Sequence, residues 1–349
     1  MNESESKLLA GGHFADHQGR IKPNIECQVR MALVYKLNQV LIRVSDTDDE
    51  LFRMAEEIDD DEGMICTSLG HRFLSTLSLE VVEVFEVFFN CRFNPYFESF
   101  CSIAKKHGFF GKGDHLSVLR QTFQAELVSK LNDCVLELRQ EYASKEFKQK
   151  LYDYRKSGTK NLRSLRDYFS QMFEAHARML MVRVDLSYSK ACVEAGDALH
   201  ERVQRDRDML INHVKSGVFG PLLGVVWKLE RGVRRGLHYH MLFCFDANVV
   251  RADILIGIGV GQYWQKEVTN GKGVYYNCNA YKEKYPKPFL GQMHYTDKVA
   301  WEGLDQYLRY ITVADDLLRL SLPHTRSLGR TGATRRATSR RGRPRKEEG

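Results

Sequence analysis

The stretch Leu222–Asp246 constrains this chain more than any other. Two apolar, β-rich runs, Leu222–Glu230 and Leu237–Asp246, flank the basic, glycine-containing segment Arg231–Gly236. That pattern predicts an antiparallel hairpin. His238 and His240 stand two apart on the second strand, so both imidazoles project from one face. Tyr239, Met241, Phe243 and Phe245 then project from the other, as a core set does. A hairpin centred near Arg234 puts Glu230 opposite His238 on the same side, and Trp227 and Leu229 join the core face. Two imidazoles and a carboxylate on one sheet face predict a three-ligand site for a divalent metal with open positions. Mixed nitrogen and oxygen ligation suits Mn²⁺ or Mg²⁺ in the cell, although imidazoles also accept Zn²⁺, Co²⁺ or Ni²⁺. The competing reading is two surface histidines that happen to alternate; Glu230, the apolar run Met241–Phe245 and the loop cations Arg231, Arg234 and Arg235 weigh against it.

The rest of the chain falls into three parts. Residues 1–170 read as mostly helical. Ile25–Val44 is amphipathic, and Ser68–Phe89 and Asp114–Lys150 carry apolar residues at helical spacing. Asn94-Pro95 marks a turn. Asp46–Glu62 holds ten acids and one arginine, which reads as a solvated helix face or loop, with an acidic partner-binding segment as the alternative. Gly108–Gly113 lacks phosphate-loop spacing and reads as a connector.

Residues 171–323 read as β, α, β-β, α, β, α. The expected pieces are Met179–Leu186, Asp197–Ser216, the hairpin, Val250–Val268, Gly273–Lys282 and Trp301–Leu320, with a short extended piece at Phe289–Tyr295. That order predicts an α+β fold on an antiparallel sheet. Gly257, Gly259 and Gly261 do not make a dinucleotide fingerprint.

Residues 324–349 read as a disordered basic tail. His324–Gly349 has nine Lys or Arg and two acids, which accounts for the whole formal charge of +7; residues 1–323 hold 43 of each sign. Tails of that kind seek nucleic acid or acidic surfaces.

Composition narrows the classes further. At 43% hydrophobic and 28% charged, the body can bury a core. No apolar run reaches the ~20 residues of a membrane span, and the start lacks a secretory pattern, so a cytoplasmic protein without membrane contact is expected. Eight scattered cysteines with no C-x-x-C pair read as reduced thiols.

Trp301–Leu320 carries Tyr307 and Tyr310, three apart on one helix face. A phenol is a poor nucleophile until a base or cation favours phenolate. The plain alternative is two packing tyrosines. Arg183 and Asp185 share one face of the first strand. They can contact a DNA backbone and organise the metal site, or form an internal salt bridge. Tyr275–Tyr281 offers aromatic faces on which unpaired bases could stack, although alternation puts only about half of them on any one side.

The ordered set Val182-Arg-Val-Asp-Leu-Ser-Tyr188, Gly236-Leu-His-Tyr-His240, Gly261-Gln-Tyr-Trp264, Gly271–Ala280 and Tyr310-Ile-Thr312 resembles the HUH-type rolling-circle replication initiators. Within them it is similar to the inovirus gene-2-type proteins, or YagK/YfjJ C-terminal-domain family, of bacterial prophages. The likeness covers about residues 175–325. It implies an HUH endonuclease domain with a ferredoxin- or RRM-like antiparallel sheet. It also implies His238, His240 and Glu230 as ligands of Mn²⁺ or Mg²⁺, and Tyr310 as the nucleophile on single-stranded origin DNA. The implied product is a 5′-phosphotyrosine and a free 3′-OH in the bacterial host cytoplasm, with host helicase or polymerase as further partners. After the tyrosine that family tends to read Tyr-Leu-Thr-Lys, whereas this chain has Tyr310-Ile-Thr-Val313. The departure leaves open Tyr307 as nucleophile, Arg309 or Lys298 as substitute cation, or weakened activity.

Arg341-Gly-Arg-Pro-Arg-Lys346, with Arg343 and Arg345, resembles an AT-hook core for double-stranded DNA; a disordered arm binding phosphates is the alternative. Three functions are therefore carried forward: a nicking and joining initiator, a decayed DNA-binding regulator on the same scaffold, and a relaxase or transposase of the same chemistry.

Overall fold

A computed structural model describes residues 13–15, 21–23, 25–55, 63–77, 81, 91–110, 124–188, 197–232, 236–285, 287–313, 318–320 and 326–332. The chain divides into two compact units. Unit 1 comprises Met1–Leu162, Glu230–Leu237 and Arg309–Ser327; unit 2 comprises Arg163–Leu229, His238–Leu308 and Leu328–Gly349. The strand pairings among the described residues are antiparallel and helices flank them, so the fold is α+β with a helical N-terminal region.

In unit 1 the short pairs β1 (His13–Ala15) and β2 (Ile21–Pro23) precede helix α1 (Ile25–Ser45). Strand β3 (Phe52–Met54) pairs with β4 (Met64–Cys66), and α2 (Ser68–Thr76) follows. Thr67 caps α2, its hydroxyl accepting from the Gly70 amide at 3.0 Å. Strand β5 (Cys91–Phe93) leads into α3 (Pro95–Lys106). Asn94-Pro95, expected as a turn, is the start of that helix: Asn94 Oδ1 accepts from the Tyr96 amide and Pro95 takes the first position. Gly108, at φ +80°, ends the turn after α3. Helix α4 (Gln124–Ala143) then leads to α5 (Lys145–Ala175).

The core of unit 1 is aromatic. Phe52, Phe73 and Phe100 meet in sequence at ring distances of 6.2 and 5.9 Å, and Tyr96, Tyr142 and Phe147 form a second cluster. Two local expectations are corrected here. The acidic stretch Asp46–Glu62 contains a strand, because Phe52 is fully buried and anchors the pairing with Met64–Cys66; residues 56–62 lie outside the described residues. The last helix ends at Val313, and Leu318–Leu320 is strand β11 on the edge of β5. Leu318-Arg-Leu320 alternates with period two, and the open β5 edge supplies partners that a helix end lacks.

In unit 2 a six-stranded sheet runs in the order β10–β6–β8–β7–β12, with β9 also pairing β6. The strands are β6 (Arg178–Tyr188), β7 (Leu222–Gly232), β8 (Gly236–Asp246), β9 (Gly273–Asn277), β10 (Gly291–His294) and β12 (Leu328–Arg330). Helix α6 (Asp197–Lys215) and helix α7 (Asp253–Tyr263), extended by a π-helical turn Trp264–Val268, cover one face. Tyr239 donates to the Val203 carbonyl, and the Trp264 indole donates to the Ser187 carbonyl. Helix α8 (Lys298–Val313) carries both candidate tyrosines.

The strand expected over Gly273–Lys282 stops at Asn277, whose side chain accepts from the Asn279 amide and turns the chain into a 3-10 helix, Cys278–Lys284. The tail expectation is corrected at its start: Leu328–Arg330 pairs with Val226–Lys228 instead of remaining unstructured. A Cβ on Gly329 would meet the Trp227 ring at 2.1 Å, so only glycine lets this strand approach the edge. Residues 333–349 lie outside the described residues. Cys66, Cys91, Cys101, Cys134, Cys244 and Cys278 are free thiols. Among the described residues, no helix is long and apolar enough to cross a membrane.

Candidate metal centre

Register decides which side chains share a face. Across β6 and β8, Asp185 stands opposite His240 and Ser187 opposite His238; across β6 and β9, Asp185 stands opposite Tyr276. Directly opposed residues point the same way. His238, His240, Arg183, Asp185, Ser187 and Tyr276 therefore occupy one face. Tyr239, Met241, Phe243 and Phe245 occupy the other, and all four are fully buried.

Glu230, on β7, joins the two histidines. One carboxylate oxygen of Glu230 and one ring nitrogen of each histidine lie within 4.8 Å of one another. The rings of His238 and His240 are 5.0 Å apart and nearly perpendicular. Both are buried, at 7% and 2% exposure. A possible metal-binding triad is thus present.

Its orientation is set from behind. Asp185 Oδ1 lies 2.9 Å from His240 Nδ1, while an Arg183 nitrogen lies 3.3 Å from the same atom. A guanidinium only donates and an ionised carboxylate only accepts. The shorter contact therefore assigns the proton to Nδ1, donating to Asp185. Nε2 is left as the nitrogen with a lone pair to offer a metal, the usual carboxylate–histidine arrangement behind a ligand.

Arg183 grips Asp185 with two hydrogen bonds, at 3.0 and 3.1 Å. Burial pushes the Asp185 pKa up, but Arg183 and then His240 outweigh it and hold the carboxyl well below the usual range. For Arg183, burial works against the charge and Asp185 restores it. The guanidinium also lies 4.8 Å over the Tyr307 ring and 5.9 Å from Tyr285. A second tier supports the strand. The Arg183 amide donates to Asn279 Oδ1, Asn279 Nδ2 donates to the Met181 carbonyl and to Asp253, and Lys282 pairs with Asp253 at 3.0 Å.

The sequence-predicted residues separate as follows. Glu230, His238, His240, Asp185 and Arg183 are brought together. Tyr307 is joined to them through Arg183 and is buried at 3% exposure, with Phe289 stacked on it at 5.3 Å. Tyr310, one turn on, is half-buried, and Arg309 and Lys298 are exposed on the same helix. Arg183 and Asp185 form the internal salt bridge, both at 8% exposure. The side chain of Arg231, residues Arg234 and Arg235, and the tail arginines Arg341, Arg343 and Arg345 lie outside the described residues.

Sequence reasoning missed Asn279 and Tyr285 behind the site. It also missed Lys228, which is 1% exposed two positions before Glu230. The parity of Lys228 with Glu230 was a usable signal; no spacing rule links Asn279 or Tyr285 to the histidines.

The triad's donor set fits a divalent cation: two neutral imidazoles and a carboxylate converge, with one tautomer already selected. No curated protein and no solved structure matches the chain. A family profile described as the YagK/YfjJ C-terminal domain matches residues 141–269, the stretch that holds Arg183, Asp185, Glu230, His238 and His240.

Proposed function

We propose that this chain is an HUH-type DNA nicking and joining enzyme that initiates replication of a phage or phage-like element. The observation that carries the reading is the convergence of Glu230, His238 and His240, with Asp185 orienting His240 from behind. A bound Mn²⁺ or Mg²⁺ would polarise the non-bridging oxygens of a scissile phosphate.

The remaining chemistry belongs to the chain. The Tyr310 hydroxyl attacks phosphorus, the bond to the 3′ oxygen breaks, and that oxygen leaves as a 3′-OH. The 5′ side stays on the tyrosine as a phosphodiester, and a later 3′-OH reverses the step. Tyr310 suits the role better than Tyr307. It is partly exposed, whereas Tyr307 is buried with its ring against Arg183 and Phe289. Arg309 and Lys298, exposed on α8, are the cations available in place of the lysine that Val313 replaces.

Purified full-length protein, Mn²⁺ and single-stranded oligonucleotides tiling the DNA around the gene test this directly. A covalent adduct should form with wild type and with Tyr307→Phe, and disappear in Tyr310→Phe. An adduct that survives in Tyr310→Phe and is lost in Tyr307→Phe would reverse the assignment. DNA binding without an adduct on any tile, and without metal dependence, would favour the decayed regulator, for which Val313 is the supporting residue.

A further inference from the structure

The Tyr-rich segment Tyr275–Tyr281 resolves into separate roles. Tyr275 packs against α7: a Cβ on Gly261 would collide with its ring. Tyr276 points to the metal-bearing face, opposite Asp185. The chain then turns through Asn277, and Tyr281 breaks the 3-10 geometry with φ −134° and ψ 31°. That break lays the Tyr281 ring parallel to Tyr276, 4° between planes and 5.4 Å between centroids. The ammonium of exposed Lys284 lies 4.7 Å over the Tyr281 ring. Lys282, by contrast, is tied to Asp253.

We propose that Tyr281, backed by Tyr276 and flanked by Lys284, is a stacking subsite for one unpaired nucleobase of a single strand lying across the metal face. The inference rests on the single-stranded substrate of the reading above, but not on the cleavage step.

Three physical points carry it. An aromatic face accepts any base, because every base has a π face to stack on it. A solvated ammonium over a ring is held only weakly, so a base can displace it. The displaced Lys284 then stands beside the strand and can pair with a phosphate. Tyr276 is already covered by Tyr281, which makes it the rigid backing and Tyr281 the contact surface. The row His240, Asp185, Tyr276 crosses three neighbouring strands, β8, β6 and β9. At about 4.8 Å per strand, Tyr276 sits roughly 10 Å from His240 along the sheet.

The test uses the full chain in EDTA and a fluorescent fifteen-nucleotide oligo(dT), read by anisotropy across a salt series. Tyr281→Ala should weaken binding about tenfold, and Tyr281→Phe should restore it. Lys284→Ala should flatten the salt dependence by about 0.7 in the log–log slope. A single 2-aminopurine walked through the strand should be quenched at one position in wild type and at none in Tyr281→Ala. Equal affinity of Tyr281→Ala and wild type, with matching circular dichroism and melting, overturns the subsite. If the affinity falls but no adduct ever forms, the subsite stands and the nicking reading fails. If wild type binds no oligo(dT), the subsite is overturned, and the adduct assay alone decides the nicking reading.

Discussion

The two units bury polar chemistry in different ways. Unit 1 closes around Phe52, Phe73, Phe93, Phe97 and Phe100, and Thr67, Asn94 and Asn132 are hydrogen-bonded to backbone groups. Its Glu137 carboxylate pairs with Lys106 and His107 near the surface, at 2.8 and 2.9 Å. Unit 2 places a full ion pair, Arg183 and Asp185, inside the sheet layer with His240 against it. Removing two charges from water costs several kcal/mol per ion, and their attraction repays this only with complete hydrogen bonding. An apolar pair would hold that sheet at least as well. The difference teaches that unit 2 keeps its charges for orientation rather than for stability, while unit 1 shows packing with no comparable buried charge among the described residues.

Breaking the ion pair from one side is the strongest challenge to that contrast. Asp185→Leu leaves Arg183 buried and uncompensated, and should cost about 3–5 kcal/mol in urea unfolding. The double variant Arg183→Met/Asp185→Leu should recover most of that loss, yet bind Mn²⁺ about 10- to 100-fold more weakly than wild type. A double variant as unstable as the single one would show that the pair is structural after all.

The opposite probe is Phe100→Ala in unit 1, which should cost about 3–5 kcal/mol through the cavity it leaves. Below its melting temperature, its Mn²⁺ affinity should match wild type. A weakened affinity at full folding would mean that the aromatic packing around Phe100 and the metal-binding triad are not independent.

The smallest effect concerns Glu137. Hydrogen bonds from Lys106 and then His107 lower its pKa, with slight burial opposing them. A depressed carboxyl contributes stability above its unfolded value, about 4.3, and loses it as pH falls through the lower folded value. The side chain is about a third exposed, so solvent screens the pair and under ~1 kcal/mol is at stake. Glu137→Gln should flatten the acid limb of the stability curve below about pH 4.3 and leave metal binding unchanged. An unchanged acid limb would remove even this surface contribution from unit 1.

Much of the site was legible because its information is local. Alternation along Gly236–Asp246 separated His238 and His240 from Tyr239, Met241, Phe243 and Phe245, and the short hairpin loop made Glu230 their neighbour. A strand has a period of two whatever packs on it. Asp185 was legible as a face-mate of Arg183, but its bond to His240 was not, because it depends on the register of two strands 55 residues apart. Leu318–Leu320 was misread as the end of a helix for the same reason: its partner strand, Cys91–Phe93, lies more than two hundred residues earlier. Leu328–Arg330 joins the sheet where Gly329 packs against Trp227 and Thr331 bonds to Val225, about a hundred residues earlier in the chain.

The amino-acid sequence alone determined the hairpin, the histidine pair with its carboxylate, the helical character of the N-terminal region and the concentration of charge in the last residues. Each follows from spacing or composition within a few turns of chain. Tertiary structure decided the tautomer of His240, the burial of Tyr307 against the more exposed Tyr310, and the stacking of Tyr281 on Tyr276. Each depends on which distant backbone supplies a partner, and hydrogen bonds and ring contacts act over only a few ångströms, a distance that spacing along the chain does not encode.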